Sequence, residues 1–161
     1  MFQLNNRKII SAQQEMSFIR NFKYWVPVLL WMSFIFWMST GTFSAQNTSL
    51  IIEPILHFLM PSISPEKVAM IHGVIRKLGH VTEYFILGIL LFRAFRSGSK
   101  ELRNLRWVFS SLLVVVLYAA SDEFHQSFVT TRTASLLDVG IDTLGGILAQ
   151  GVSVLWHLSR L

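Results

Sequence analysis

Residues 24–40 have the sequence YWVPVLLWMSFIFWMST, a run without a charged side chain and with aromatic residues near both ends. A helix needs roughly 20 apolar residues to cross a bilayer, and Trp is enriched at the two interfaces. The run therefore predicts a first transmembrane span, with Trp25 and Trp37 near opposite membrane surfaces. Pro27 lies in its first turn, where a missing backbone amide is tolerated.

Three more apolar runs follow, at residues 78–95, 105–121 and 139–156. Of the 161 residues, 52% are hydrophobic and only 14% are charged, a low charged fraction for a soluble domain. We therefore expect an all-α polytopic membrane protein, a small bundle of four transmembrane helices. Its transmembrane domain would occupy residues 23–158, after an N-terminal segment at residues 1–22.

Basic residues are concentrated in two segments, before the first span and between the second and third. Cytoplasmic segments near span ends are enriched in Lys and Arg, so we expect both segments, and both chain termini, in the cytoplasm. This distribution also explains the formal charge of +5 without a nucleic-acid partner. A cleaved signal peptide is the alternative for the first span; the long leading segment and the even span count disfavour it. The basic residues concerned are Arg7, Lys8, Arg20, Lys23, Arg93, Arg96, Lys100, Arg103 and Arg106.

The connection at residues 41–77 is longer than a simple loop. It contains an apolar stripe at helical spacing, which predicts an interfacial helix along the outer membrane surface. Pro54, Pro61 and Pro65 interrupt the segment, which is too short to span. The stripe consists of Leu50, Ile51, Ile55, Phe58 and Leu59.

Polar residues recur at the predicted outer ends of spans two, three and four, which the topology brings to one membrane face. Ionisable residues so close to hydrocarbon are costly unless they face water or one another, so they indicate a functional site. Many of them share helical faces at i, i+3 or i+4 spacing. The group consists of His80, Glu83 and Tyr84; Asp122, His125 and Gln126; Arg132 in the following loop; and Asp138 and Asp142.

Two interpretations of this polar group remain open. His80, Asp122 and His125 are the candidate catalytic residues, because Asp122 could orient and tune His125 for acid–base chemistry. The alternative is an interhelical network that holds the bundle together. We expect Glu123 to be a bystander, and Asp138 serves equally well as a charge at a helix N-terminus.

Metal and cofactor binding are not identified by the sequence. The chain has no cysteine and no HExxH motif, so a metal on the imidazole and carboxylate groups is the minority interpretation. No activated-serine signature, phosphate-binding glycine loop or nucleotide motif occurs. His57, His72 and His157 stand apart from the group, and we expect them at the surface or interface.

Three stretches of the chain resemble the VanZ-like membrane proteins: residues 39–49 (STGTFSAQNTS), residues 76–95 (RKLGHVTEYFILGILLFRAF) and residues 118–146 (YAASDEFHQSFVTTRTASLLDVGIDTLGG). The specific pattern is an ordered series, Lys77, His80 and Tyr84 followed by Asp122, Glu123, Gln126, Arg132 and Asp138. The chain departs from the family pattern at Asp142, where Asn is expected, and at Thr130 and Thr131, where Pro-Gly is common.

This resemblance implies a bacterial plasma-membrane protein of the cell envelope, in a family associated with reduced susceptibility to the glycopeptide antibiotic teicoplanin. The first hypothesis is an outward-facing polar site that acts on membrane lipid, a lipid-linked envelope precursor or the glycopeptide. The second is a membrane-embedded hydrolase or transferase, and the third is a non-catalytic scaffold or binding protein; transport is disfavoured. The sequence decides neither between them nor the oligomeric state. The candidate binding residues are Lys77, Glu83, Tyr84, Glu123, Gln126, Arg132, Asp138 and Asp142.

Overall fold

A computed structural model describes residues 22–97, 105–132 and 134–159. Within these ranges the chain forms helices and no strand, so the predicted all-α fold is confirmed. Most of the predicted N-terminal segment, and the basic connection before the third predicted span, lie outside the described residues. The helices are α1 (Phe22–Met38), a short 3-10 turn (Gly41–Phe43), α2 (Ala45–Leu59), α3 (Pro65–Arg96), α4 (Leu105–Gln126) and α5 (Leu136–Leu158).

Helices α3, α4 and α5 are each long and apolar enough to cross a membrane. Helices α1 and α2 meet this standard only as a pair, joined through the 3-10 turn with a bend of 63°. The described chain therefore holds three spanning helices, or four if the bent pair forms one broken span. Such a chain is a multi-pass membrane protein.

Helix α2 exposes the apolar stripe expected of an interfacial helix: Leu50 is 74% and Phe58 85% exposed. Its first turn is capped by Ser44, whose hydroxyl accepts from the Asn47 backbone N–H at 3.4 Å. Pro54 lies inside the helix without ending it. An apolar face of this kind is buried favourably in the acyl boundary of a membrane.

Helix α3 begins at Pro65, earlier than the span predicted from Leu78. Pro65 is the first residue of this helix, where its fixed φ suits the helix and its missing N–H would have no partner in any case. It therefore starts α3 instead of interrupting a helix. At 1.5 Å per residue the helix is roughly 48 Å long, against a hydrocarbon thickness of about 30 Å. A sizeable part of α3 therefore extends beyond the bilayer core.

His72 lies on this N-terminal half of α3 and corrects one expectation. It is buried, not at the surface, and its Nε2 lies 2.9 Å from the Thr48 hydroxyl of α2. The contact joins α2 to α3.

The C-terminal half of α3 packs closely on α5. Gly145 faces the Val81 backbone, where an added Cβ would lie 2.5 Å from the carbonyl oxygen. A Cβ added at Gly88 of α3 would lie 2.7 Å from the Ala149 side chain of α5. Small residues of this kind let membrane helices approach closely.

Helix α1 is held against the bundle by two side chains that donate to backbone carbonyls. The Trp31 indole of α1 donates to the Glu83 carbonyl of α3 at 2.9 Å. The Tyr118 hydroxyl of α4 donates to the Met32 carbonyl of α1 at 2.5 Å. These bonds fix α1 beside α3 and α4 at the level where the polar residues lie.

Candidate functional site

The predicted polar residues of α3 and α5 meet inside the bundle. His80 Nδ1 lies 3.3 Å from Asp142 Oδ1, an ion-pair distance, and the Asp142 side chain is fully buried. His80 retains some exposure, so its ring connects the buried carboxylate to the surface. A buried carboxylate needs such a partner, because desolvation strongly penalises an isolated charge.

Asp122 has a different partner from the one expected. Its Oδ2 accepts from the Gln126 side chain at 3.0 Å, and the same amide lies 3.5 Å from the Ser39 hydroxyl at the end of α1. All three side chains are buried. His125 instead packs its ring on Phe36, with centroids 4.5 Å apart.

Glu123, expected to be a bystander to the site, makes a structural contact between α4 and the start of α5. It is buried, and its Oε2 accepts from the Ser135 backbone N–H at 2.8 Å, so it fixes the start of α5. The Ser135 hydroxyl in turn accepts from the Leu137 N–H at 3.1 Å, which is the bond of a helix cap. Asp138 lies in the first turn of α5, three residues after Ser135, and lines a cavity.

Arg132 clamps the connection between α1 and α2. Its Nη2 donates to the carbonyls of Met38 at 2.6 Å, Phe43 at 2.9 Å and Thr40 at 3.1 Å. Burial lowers the pKa of this guanidinium, and the nearby Arg76 charge lowers it further. Two guanidinium groups thus lie within electrostatic reach of each other.

A basic cavity of about 280 Å³ opens beside this clamp. Three cationic side chains contribute to it, whereas Asp138 is its single acidic residue. His80 also lines this cavity, and its ring contacts the buried Asp142. Its cationic residues are Arg76, Lys77 and Arg132.

A second, apolar cavity of about 180 Å³ shares Arg76, His80 and Arg132 with the first. One side of it is formed by α2 and the turn before it, and another by α3. Glu83 is its acidic residue. Its apolar side chains are Met38, Phe43, Ile52 and Ile75.

Deeper in the bundle, several polar atoms lack a hydrogen-bond partner among the described residues. They include the Tyr84 hydroxyl, Asp122 Oδ1 and Asp142 Oδ2, all on side chains at most 3% exposed. Within the described part of the chain, no three His, Asp or Glu side chains are arranged to hold a metal ion. The arrangement as a whole can bind an anion at the surface and keep a proton acceptor behind it.

Sequence reasoning missed two residues of this region. Arg76 lies on the same face of α3 as His80, four positions earlier, and contributes to both cavities. That spacing was a usable signal, but the prediction placed residue 76 outside the helix. Ser39 begins one of the stretches that carry the family resemblance, but nothing singled it out there, since a serine at the end of an apolar span has many uses.

The helices and this cluster define a small multi-pass membrane protein whose polar residues are gathered where α3, α4 and α5 meet the turn after α1. The family model for VanZ/LLP1 matches residues 24–157, and the chain belongs to this family. No curated protein and no solved structure matches it significantly.

Proposed function

We propose that this protein is a plasma-membrane protein of the bacterial cell envelope whose polar site faces outward and acts on an envelope lipid or a lipid-linked precursor. Through that action it lowers susceptibility to teicoplanin-type glycopeptides. The observation that carries the proposal is the basic cavity, in which Arg76, Lys77 and Arg132 outnumber Asp138. Cationic side chains at a membrane surface attract anionic headgroups.

The predicted orientation supports the outward assignment. The basic segments before the first predicted span and after the second favour the cytoplasm. The cavity lies at the opposite end of the spans, beside the α4–α5 connection that contains Thr131 and Arg132. Both termini are then cytoplasmic.

Orientation can be tested with single cysteines, because the natural chain contains none. Thr131→Cys lies in the exposed connection beside the cavity, and Ser159→Cys lies beyond α5 at the other end of that helix. A membrane-impermeant maleimide should label the first variant in intact cells and the second only after permeabilisation. The reverse pattern would place the cavity in the cytoplasm and refute the proposal.

The effect on teicoplanin susceptibility is tested by measuring the minimal inhibitory concentration of teicoplanin for a Gram-positive host that expresses the protein. Wild-type expression should raise this concentration, and Arg76→Gln should abolish the increase at equal membrane abundance. Gly151→Ala, on α5 and outside both cavities, is the matched control and should retain the increase. No increase with abundant wild-type protein would contradict the resistance role.

A second candidate function is a hydrolase or transferase embedded in the membrane, and the contact between His80 and Asp142 favours it. A carboxylate behind an imidazole orients the ring and supports general acid–base catalysis. His80 also borders the basic cavity, where a phosphate or ester group could bind. In this mechanism His80 exchanges the proton, whereas Asp122 is held by Gln126 and His125 packs on Phe36.

Product formation from labelled envelope lipids distinguishes this candidate from a binding protein. If the protein is an enzyme, the wild type should turn the lipid over, and the His80→Gln variant should still bind the lipid but form no product. Binding without turnover supports the non-catalytic alternative, in which the contacts of Asp122 and Glu123 serve only to hold the helices.

A further inference from the structure

Two glycines in α3 adjoin the two cavities. Gly73 borders the basic cavity and Gly79 the apolar one. A Cβ added at either position would meet nothing within 4 Å, so neither glycine is required by helix packing. Glycine in a helix interior is destabilising relative to alanine. Their shared property is the space that they leave in the cavity walls.

The basic cavity has the charge of a phosphate site. Arg76 and Lys77 are adjacent on α3, and Arg132 approaches from the α4–α5 connection. Arg76 lies close enough to Arg132 for its charge to lower the pKa of Arg132, and an anion between the two like charges would relieve their repulsion. Asp138 offsets only one of the three charges.

The adjoining cavity has the character of a hydrocarbon site. Its apolar side chains come from the end of α1, the turn after it, α2 and α3. Ile75 is 44% exposed, and the neighbouring α2 exposes Ile51 and Ile55 on a face suited to lipid. A chain in this cavity can therefore continue into the surrounding bilayer.

From this geometry we infer that the two cavities together bind one amphiphile, with its phosphate headgroup against Arg76 and Lys77 and the first part of its hydrocarbon chain beside Gly79. The inference rests on the proposed function and specifies its ligand class. Ligand pockets usually measure about 300–1,000 Å³, and the basic cavity of about 280 Å³ falls near this range. The headgroup and the chain make separate contributions, which can be removed one at a time.

The test is ligand binding to the full-length protein in a neutral detergent, measured by native mass spectrometry. Three probes separate the contributions: dioctanoyl phosphatidic acid, dioctanoylglycerol with the same chains but no phosphate, and inorganic phosphate. We expect phosphatidic acid to bind at least tenfold more tightly than either of the others. Inorganic phosphate binding as tightly as phosphatidic acid would show an anion site without a chain site and would overturn the inference.

Two variants test the two cavities. Arg76→Gln should weaken binding of phosphatidic acid about tenfold and leave dioctanoylglycerol unchanged. Gly79→Leu should fill the apolar cavity, weakening phosphatidic acid but not inorganic phosphate. Gly151→Leu also enters open space, but outside both cavities, and should alter neither. Unchanged phosphatidic acid binding in Gly79→Leu, with the variant folded as judged by its circular dichroism, contradicts the inference.

Failure here and failure of the proposed function are distinguishable. If phosphatidic acid binds as expected but teicoplanin susceptibility does not change, the amphiphile site stands and the resistance role fails. If susceptibility changes but no phosphate lipid binds, the ligand assignment fails and the resistance role stands.

Discussion

The two halves of α3 use glycine in opposite ways. In the C-terminal half, Gly88 lies against Ala149, and Val81 lies against Gly145 of α5, at distances that exclude a Cβ. In the N-terminal half, Gly73 and Gly79 face open space. The same residue type therefore permits close helix contact in one half and leaves a cavity wall open in the other.

This difference divides the helix by task. The C-terminal half forms the bundle, with Tyr84, Leu87 and Leu91 fully buried. The N-terminal half contacts α2 through His72 and forms the walls of two cavities. His80 lies at the boundary, with Asp142 on the packed side and the basic cavity on the open side.

The largest expected effect is at this boundary. His80→Ala removes the partner of a fully buried carboxylate, and breaking such a pair costs about 3 kcal/mol of unfolding free energy. The apparent melting temperature in detergent should fall sharply. Because the cost comes from an unpaired charge, the double variant His80→Ala with Asp142→Asn should be more stable than His80→Ala alone. A double variant no more stable than His80→Ala would show that charge is not the cause.

The next largest effect is expected where the C-terminal half of α3 packs on α5. Gly145→Ala places a methyl group against the Val81 backbone carbonyl, which cannot move aside as a side chain can. Overpacking of this kind costs about 1–3 kcal/mol. Thermal unfolding followed by circular dichroism measures the loss. Gly140→Ala on the same helix meets nothing within 4 Å and should cause none; equal losses in both variants would contradict the packing argument.

Much of the fold follows from the sequence, because predominantly apolar runs of nearly spanning length are typical of membrane helices and of few other structures. The extent of α3 did not follow, since a proline before a helix and a proline that interrupts one look alike in sequence. Pro65 proved to be the former. Exposure of the α2 stripe agrees with the prediction, because amphipathic spacing reports directly on the face presented.

The sequence predicted which polar residues gather at the candidate site, but not which of them contact each other. Helical spacing shows that Asp122 and His125 share a face of α4, but not how α4 is rotated against its neighbours. In the structure this rotation turns Asp122 toward Gln126 and Ser39 and leaves His125 beside Phe36. The pairing of His80 with Asp142 depends on the α3–α5 contact, which a single sequence does not report.

A smaller loss of stability is expected when the contact between α2 and the N-terminal half of α3 is removed. Thr48→Val removes the hydroxyl that contacts His72 while keeping the shape of the side chain. A hydrogen bond of this kind contributes about 1 kcal/mol. We expect faster amide hydrogen exchange in α2 and little change in α4 and α5. Thr48→Ser should restore protection, whereas equal loosening of all helices would mean that the contact supports the whole bundle.

The smallest expected effect is a gain in stability instead of a loss. It tests most directly whether the two halves of α3 use glycine differently. Gly79→Ala adds a methyl group in open space and removes the entropic cost of glycine in a helix, so the protein should gain about 0.5–1 kcal/mol. Gly151→Ala should give a similar gain. If packing were the reason for Gly79, its replacement would instead destabilise the protein as Gly145→Ala does. A gain at position 79 therefore leaves the cavity, not the fold, as the reason for a glycine there.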